Sequence, residues 1–405
     1  MKNKIDFTSI RDILTIRYDP LEKSLITPAS WKDFDDSEFD KVGNKTQNLL
    51  LKSVKKQFPD TNDPFVISLS SGIDSSLSLA LIRKVFPKKK IIAICGVFEK
   101  NNDESEQAKK IASKFDAEFH VLKMPSIFVN MPEIISITKK PKWNTYTHLI
   151  AKMAKSFGSV LATGDGADEI FGGYSFRYSK FLQLSNPSDT WKIKIKNYLE
   201  CHNRDWVPDQ ENLFGKSIQF NWDDIYSYFK KSFSNPLESL NQVMLADFNG
   251  KLLHDFIPTG QLISKHYDIQ IKSPFLDNDV IKFGLSLPLK QKFDDHKQKG
   301  KILLRNIAKR FSVEHIDEKK GFSPSLLLDW EKNGRKIFEI YLTNKKSYVF
   351  KKGLINYNWL MKSYEHFEQD GDIRILNRLI SILALEIWYR SIIKSEISAS
   401  TKLLE

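Results

Sequence analysis

The sequence has few cysteines and no long apolar run, and both absences exclude whole classes of protein. Its two cysteines, Cys95 and Cys201, are too few for the disulfide framework of a small secreted domain and wrongly spaced for a structural zinc site. The N-terminus has no apolar stretch of signal-peptide length. The most apolar late stretch, residues 379–389, contains Glu386 and is far shorter than a membrane span. We therefore expect a cytoplasmic protein with no membrane partner.

The chain has fewer acidic than basic residues. The 405 residues include 62 lysines and arginines against 50 aspartates and glutamates, a formal net charge of +12. This positive net charge is typical of proteins that bind nucleic acid, an anionic membrane surface or a polyanionic substrate. It does not distinguish among these three kinds of partner. Residues 290–310 hold eight lysines and arginines against two aspartates, which is half of the net charge. With 41% hydrophobic residues, the chain can bury a large core, and wholesale disorder is excluded.

Strand and helix signals alternate in the first half of the chain. Short strand-like segments, beginning with an apolar run at residues 65–69, predict strands over residues 65–69, 91–97, 118–122 and 159–163. Helical patterns lie between them, and an amphipathic helix is predicted before them, over residues 37–58. This alternation predicts an α/β fold, a parallel twisted sheet with helices on both faces. Beyond about residue 178 the pattern is mainly helical and closes with an amphipathic helix predicted over residues 373–393.

These patterns divide the chain into three parts. The predicted parts are an N-terminal segment at residues 1–36, an α/β part at 37–178 and a mainly helical part at 179–405.

The first predicted strand runs into a turn of small residues, Ser70-Ser71-Gly72, and then into a helix. Small residues let the backbone approach a ligand closely, and the N–H groups at a helix start bind anions. Asp74 suits a Mg²⁺ ion that neutralises a bound phosphate. The alternative is a plain strand-to-helix turn in which Asp74 complements the helix dipole. The local pattern leaves both interpretations open.

A second polar turn follows the fourth predicted strand and carries three acids, Asp165, Asp168 and Glu169. Carboxylates at the end of a strand can ligate Mg²⁺ or act as a general base. A solvated acidic loop is the alternative, but it does not account for the flanking Phe-Gly-Gly-Tyr at residues 171–174. Both turns fall at the carboxyl ends of strands, where ligands bind in parallel sheets.

Two strings in these turns resemble known signatures. Residues 70–75, SSGIDS, resemble the PP-loop of the N-type ATP pyrophosphatases, S-G-G-x-D-S/T, with Ser71 in place of the first glycine. Residues 163–174, TGDGADEIFGGY, closely resemble the G-[ED]-G-x-D-E-x-F-G-G-Y signature in the synthetase domain of the asparagine synthetase family. Further family strings follow in order: SPFLD at 273–277, LSLP at 285–288, KILLR at 301–305, KKGF at 319–322 and LEIW at 385–388. The resemblance covers about residues 38–394.

The resemblance implies an ATP and Mg²⁺ site. The implied ATP-binding residues are Leu69, Ser70, Gly72, Asp74, Ser75, Gly96, Val97 and Gly164. The implied Mg²⁺ ligands are Asp74 and Asp168. The implied catalytic residues are Asp165, which assists proton removal from an amine, and Lys301 and Lys319, which stabilise phosphate charge. Without the motif, either lysine would be interpreted as one solvated lysine among many.

The reaction that the resemblance implies is amide formation. A carboxylate attacks the α-phosphorus of ATP to give an acyl-adenylate and pyrophosphate, and an amine then displaces AMP. Because negative charge develops on phosphate oxygens, loss of a stabilising lysine should lower the rate by about two orders of magnitude or more.

The sequence also departs from the family. Glutamine-dependent members begin with a glutaminase domain, but only about 64 residues precede the first predicted strand here. We therefore expect no glutaminase activity and interpret residues 11–28 as a remnant of that domain. On the acceptor side, Gln261, Gln270 and Lys272 stand where the family often has Asp, Glu and Arg. The acceptor could therefore be aspartate or a related acid. The nitrogen could come from ammonia, another amine or a separate glutaminase subunit.

Two alternatives remain beside an amide ligase. The basic charge favours an RNA-modifying PP-loop enzyme, but the acid-rich string does not belong to those families and no cysteine pair for thiolation is present. The other alternative is a non-catalytic nucleotide-binding subunit that partners a separate glutaminase. The retained acids and lysines at the implied site argue against it. We do not expect nucleic acid as a partner.

Overall fold

The computed structural model describes residues 5–59, 62–98, 102–202, 209–313 and 326–404. The strands of its main sheet are β1 Phe65–Ser68, β2 Ile91–Val97, β3 Ala117–Lys123, β4 Val160–Ala162 and β5 Gln270–Lys272. All five are parallel, in the order β3-β2-β1-β4-β5. A separate antiparallel pair joins β6 Phe293–Asp294 and β7 Lys299–Gly300. The predicted parallel sheet is confirmed, with β5 as an additional edge strand.

Helices make up most of the remainder of the described chain. In the first half they are α1 Phe7–Ile16, α2 Asn44–Gln57, α3 Ile73–Val85, α4 Asn102–Lys114, α5 Met131–Thr138, α6 Thr147–Lys155, α7 Ala167–Phe171, α8 Ser175–Leu184 and α9 Trp191–Glu200. In the second half they are α10 Gln210–Leu213, α11 Trp222–Phe233, α12 Ser239–Asp247, α13 Ile257–Tyr267, α14 Asn278–Leu285, α15 Leu289–Lys292, α16 Ile302–Arg310, α17 Leu326–Asp329, α18 Arg335–Leu342, α19 Tyr348–Lys351, α20 Tyr357–Asp370 and α21 Ile373–Trp388. Short 3₁₀ turns cover Trp31–Asp33 and Pro274–Leu276, and π-helical stretches cover Phe248–Phe256, Trp330–Gly334 and Tyr389–Ile393.

Successive residues of the central strands point into two different cores, because side chains alternate across a sheet. On one face, Phe65 and Ile67 pack with the buried side chains of α2, α3 and α4. On the other face, Val66 packs with α5, α6 and α13. Helices therefore cover both faces of the sheet, as predicted.

The helix predicted over residues 37–58 begins later, at Asn44. Asp40 explains the difference, because its carboxylate accepts hydrogen bonds from the backbone N–H groups of Gly43 at 2.9 Å and Thr46 at 2.8 Å. These bonds satisfy N–H groups that lack partners at a helix start. The residues before Asn44 therefore lie outside the helix and end in a bend at residues 41–43.

The C-terminal helices enclose a core of their own. Leu379 and Leu383 of α21 are fully buried in it, together with Leu14 of α1. The closing helix predicted over 373–393 is present, with π-helical geometry from Tyr389 onward. Among the described helices, none combines the length and apolar character needed to cross a bilayer.

Candidate active site

The turn after β1 is held by its own serines. The Ser75 hydroxyl accepts a hydrogen bond from the Ser70 backbone N–H at 3.0 Å, and the Ser70 hydroxyl accepts one from the Gly72 N–H at 3.2 Å. Gly72 caps the start of α3. Ser71, which replaces a family glycine, has a negative φ, so its side chain adds no backbone strain. The turn keeps the geometry of a helix N-terminus that can bind phosphate.

The acidic turn after β4 is fixed by neighbouring hydroxyl groups. The Thr163 hydroxyl donates to the Asp165 carboxylate at 2.9 Å. The Ser273 hydroxyl, just after β5, donates to the Asp165 carbonyl at 2.6 Å. A Cβ at Gly164 would lie 2.7 Å from the Cβ of Asp74. Glycine at this position therefore allows the acidic turn and the β1 turn to approach each other closely.

Lys301 joins the two turns. Its Nζ donates to Oδ1 of Asp74 at 2.6 Å and Oδ2 of Asp74 at 2.7 Å, and it also pairs with Asp168. The side chain is buried. Burial alone would lower the pKa of this ammonium, but the charges of Asp168 and Asp74 outweigh burial and raise the pKa above its usual value. Lys301 is thus a protonated cation held between two carboxylates.

A glycine makes this arrangement possible. A Cβ at Gly173 would lie 1.8 Å from Oδ1 of Asp168 and 2.3 Å from Cε of Lys301. Any larger residue at this position would separate the acid from the lysine. The second glycine of the Gly-Gly pair therefore leaves room for the Asp168–Lys301 contact.

The two turns border a cavity of about 190 Å³. Its lining residues are Ser68, Leu69, Ser70, Asp74, Ser75, Gly96, Thr147, Ile150, Thr163, Gly164, Asp165, Gly166, Asp168, Glu169, Tyr174 and Phe256. Eight of the residues implied by the sequence are among them: Leu69, Ser70, Asp74, Ser75, Gly96, Gly164, Asp165 and Asp168. Gly72, Val97 and Lys301 adjoin this lining through their chain neighbours or contacts. Lys319 lies outside the described residues.

The donor atoms at the site fit the implied ligands. Mg²⁺ prefers oxygen donors and is commonly held by one or two carboxylates together with substrate phosphates. Asp74 and Asp168 supply such a pair at the Lys301 ammonium. Among the described residues no group of three or more metal-ligating side chains is assembled, so a cage made by the protein alone is not present there. The arrangement suits Mg²⁺ that arrives with a nucleotide.

Glu169 is a buried acid at this cavity that the sequence interpretation left without a role. Its Oε1 accepts a hydrogen bond from the Tyr174 hydroxyl at 2.5 Å. Burial, followed by the charge of Asp168, raises the pKa of Glu169 to about 8. The guanidinium of Arg177 lies 3.7 Å from the Tyr174 ring centroid and pairs with Asp247 at 2.8 Å. The acid string contains Glu169, but no sequence spacing indicates this network behind it.

Three further lining residues were not predicted from the sequence. Thr147, Ile150 and Phe256 come from α6 and from the end of a π-helical stretch, and no motif marks them. The three positions where the sequence departs from the family's acceptor residues, Gln261, Gln270 and Lys272, are not among the lining residues of the described chain.

Fold and site together define an α/β protein with a PP-loop-like turn facing an acidic turn across a buried lysine. The asparagine synthase family model matches residues 45–390, and the chain belongs to that family.

Two relatives carry the asparagine synthetase name. The chain is 25% identical over 341 residues to "Asparagine synthetase [glutamine-hydrolyzing] 1" of Bacillus subtilis (strain 168), covering 73% of this chain and 52% of that protein. It is 26% identical over 144 residues to "Putative asparagine synthetase [glutamine-hydrolyzing] 2" of Methanocaldococcus jannaschii, covering 33% of this chain and 27% of that protein. The chain thus spans about half the length of the first relative and less of the second.

Among solved structures, the NH3-dependent NAD synthetase of Campylobacter jejuni matches at 18% identity, with 43% of this chain and 90% of that chain covered. The TM-score is 0.24, which is too low to support a conclusion about function.

Proposed function

We propose that this chain is an ATP-dependent amide ligase. It activates a carboxylic acid as an acyl-adenylate with release of pyrophosphate, and it then transfers the acyl group to ammonia or another amine with release of AMP. The main observation behind the proposal is that Asp74, Asp168 and Lys301 lie together beside one cavity, at the carboxyl ends of β1 and β4. Membership of the asparagine synthase family supports the same reaction class.

In the first step, an oxygen of the acceptor carboxylate attacks the α-phosphorus, and the bond from that phosphorus to the bridging oxygen breaks. The turn at residues 70–75 offers backbone N–H groups at the start of α3 to the departing pyrophosphate. The Lys301 ammonium stabilises charge on phosphate oxygens, and we assign the same role to Lys319. Mg²⁺ held by Asp74 and Asp168 would neutralise phosphate charge.

In the second step, the amine nitrogen attacks the acyl carbon, the carbon–oxygen bond to AMP breaks, and the amine loses a proton. Asp165 is the proton acceptor in this proposal. Its side chain lies at the cavity, and the Thr163 hydroxyl orients the carboxylate. The nitrogen source is ammonia, another amine or a separate glutaminase subunit.

Release of pyrophosphate and AMP from ATP tests the proposal, with a panel of carboxylic acids and either ammonia or glutamine as the nitrogen source. We expect Asp165→Asn to bind ATP as the wild type does and to lower amide formation by about 10²- to 10⁴-fold, because a general base is lost. Asp223→Asn, at an exposed position on α11, is the control. The proposal fails if no acid supports pyrophosphate release, and the assignment of the base fails if Asp165→Asn forms amide at the wild-type rate.

A further inference from the structure

Lys301 contacts the same carboxylates that we assign to Mg²⁺. Its Nζ lies 2.6 Å from Oδ1 and 2.7 Å from Oδ2 of Asp74, and it also pairs with Asp168. The Lys301 and Asp74 side chains are only 7% and 9% exposed. An ammonium held by both oxygens of one carboxylate occupies the position from which a metal ion would bind that carboxylate. A second cation at these oxygens would also be repelled by the ammonium. Lys301 and Mg²⁺ therefore compete for the two acids.

The charges of this group show why one lysine cannot serve the acids and the phosphates at the same time. Two carboxylates and one ammonium leave a net charge of one negative unit, which repels the phosphates of a nucleotide. A divalent ion at the carboxylates balances both of them. The ammonium is then available to phosphate oxygens, where a cation stabilises the negative charge that develops in the reaction.

The backbone at Lys301 is strained. The residue has a φ of 56° and a ψ of 39°, in the left-handed region that residues other than glycine rarely adopt. It lies between β7 and α16. A Cβ at Gly300 would lie 2.0 Å from the carbonyl oxygen of Gly172, so this strand packs tightly against the end of the acidic turn. Strained residues of this kind persist where the surroundings enforce them, and they cluster at ligand clamps and switch regions.

We propose that Lys301 is a tethered counter-ion of the Mg²⁺ site. It pairs with Asp74 and Asp168 until a complex of Mg²⁺ and nucleotide arrives. It then yields these acids to the metal and transfers its ammonium to the phosphate oxygens. Metal binding thereby depends on the nucleotide, because Mg²⁺ alone would displace the lysine without giving it a new partner. This inference rests on the proposed ATP and Mg²⁺ site and adds the regulation of that site.

Binding of Mn²⁺ tests the inference without turnover, because Mn²⁺ takes the same oxygen ligands as Mg²⁺ and is visible by electron spin resonance. The free ion is titrated against the protein with and without α,β-methylene-ATP, in which the bond that the proposed reaction breaks is replaced. For the wild type, we expect Mn²⁺ affinity without the analogue to be lower by about tenfold or more.

The decisive variant is Lys301→Met in the absence of nucleotide. Its Mn²⁺ affinity should exceed that of the wild type by about tenfold or more, because the competing cation is removed while both carboxylates stay. A lysine that serves only the phosphates would give no such gain. Lys297→Met is the matched control, since Lys297 is an exposed lysine of the same hairpin, and it should leave the affinity unchanged. Addition of Asp168→Asn to Lys301→Met should abolish the gain, which assigns the ion to these acids.

Lys301→Gln is a second variant, because loss of one partner from a buried ion pair is destabilising. Its amide still donates to the acids but carries no charge, so the same gain is expected. Near-UV circular dichroism identifies which variants are folded. The inference is overturned if folded Lys301→Met or Lys301→Gln gains no Mn²⁺ affinity, or if the wild type binds Mn²⁺ equally well with and without the analogue.

These results leave the ligase proposal standing, since release of pyrophosphate and AMP tests that proposal separately. If the wild type does not bind the complex of Mn²⁺ and α,β-methylene-ATP at all, the ATP site itself is rejected and the inference falls with it.

Discussion

Lys292 and Lys301 are both buried lysines of the basic stretch at residues 290–310, yet their surroundings differ. Lys301 lies between two carboxylates. The Lys292 ammonium donates to the carbonyl of Leu285 at 2.8 Å and faces the Phe34 ring at 4.9 Å, and among the described residues no carboxylate forms an ion pair with it. Burial lowers the pKa of Lys292 to about 7, despite the opposing charge of Asp36. The same residue type thus carries opposite pKa shifts.

The lowered pKa of Lys292 predicts a pH-dependent stability. Between pH 7 and 10.5, the unfolded chain keeps a proton on this lysine that the folded chain has lost, so the free energy of unfolding rises with pH by up to about 1.4 kcal/mol per pH unit. Lys292→Met removes this dependence. The variant should therefore be more stable than the wild type at pH 6, and the difference should shrink as the pH rises toward 10.

Urea unfolding at pH 6, 8 and 10 measures this difference. Lys290→Met is the control, because Lys290 is an exposed lysine on the same helix, α15. A stability difference for Lys292→Met that stays constant with pH would contradict the prediction.

The start of α2 depends on one carboxylate outside the helix. Asp40 accepts hydrogen bonds from the backbone of Gly43 and from both the backbone and the hydroxyl of Thr46. Burial of Asp40 favours the neutral acid, but these bonds outweigh burial and lower its pKa. The stabilising effect is therefore present above the unfolded-state pKa and is lost as the pH falls through the folded-state value.

We predict that Asp40→Ala lowers the free energy of unfolding at pH 7 by about 2 kcal/mol, because the N–H groups of the first turn lose their acceptor. Chemical denaturation at pH 7 measures the loss, which should diminish at pH 3. Asp35→Ala is the control, since Asp35 is exposed and bonds to the neighbouring Ser37. Equal losses from the two changes would show that Asp40 has no special role at the helix start.

At the scale of elements, the sequence predicts what its local patterns specify. Strands β1 to β4 fall within two residues of their predicted bounds. The strands β1, β2 and β4 are short apolar runs, and β3 places polar residues between apolar ones. The edge strand β5, Gln270–Lys272, has one apolar residue, so it carries no such signal. Its pairing with β4 is decided by tertiary contacts.

The residues of the candidate site also differ in whether a local sequence pattern predicts them. Acids and small residues that are neighbours in sequence, such as Asp165 and Asp168, were predicted together and lie together at the cavity. Phe256 reaches the same cavity from a distant π-helical stretch, and its position depends on how whole helices pack. The chemical roles assigned to these residues remain predictions.

At the scale of the whole molecule, the N-terminal residues are part of the packing. Leu14 of α1 is fully buried in the core that surrounds α21, and α1 contacts that helix. The division of the chain at residue 36 remains a prediction, and this packing ties α1 to the C-terminal core.

We predict that Leu14→Ala lowers the free energy of unfolding by about 2–5 kcal/mol, as expected for a cavity left by a fully buried leucine. Phe7→Ala on the same helix should have a much smaller effect, because Phe7 is 42% exposed. Thermal and urea unfolding of both variants provide the measurement. A Leu14→Ala protein as stable as the wild type would contradict the prediction that burial of Leu14 stabilises the C-terminal core.

The pair formed by Asp74 and Lys301 joins positions 227 residues apart. During synthesis on the ribosome, the acids of both turns emerge well before the lysine that balances them. The complete arrangement can therefore form only when most of the chain has been made and the hairpin of β6 and β7 has docked. A nascent chain that already holds the turn at residues 70–75 still lacks this cation, so the fold completes the candidate site only late in its own assembly.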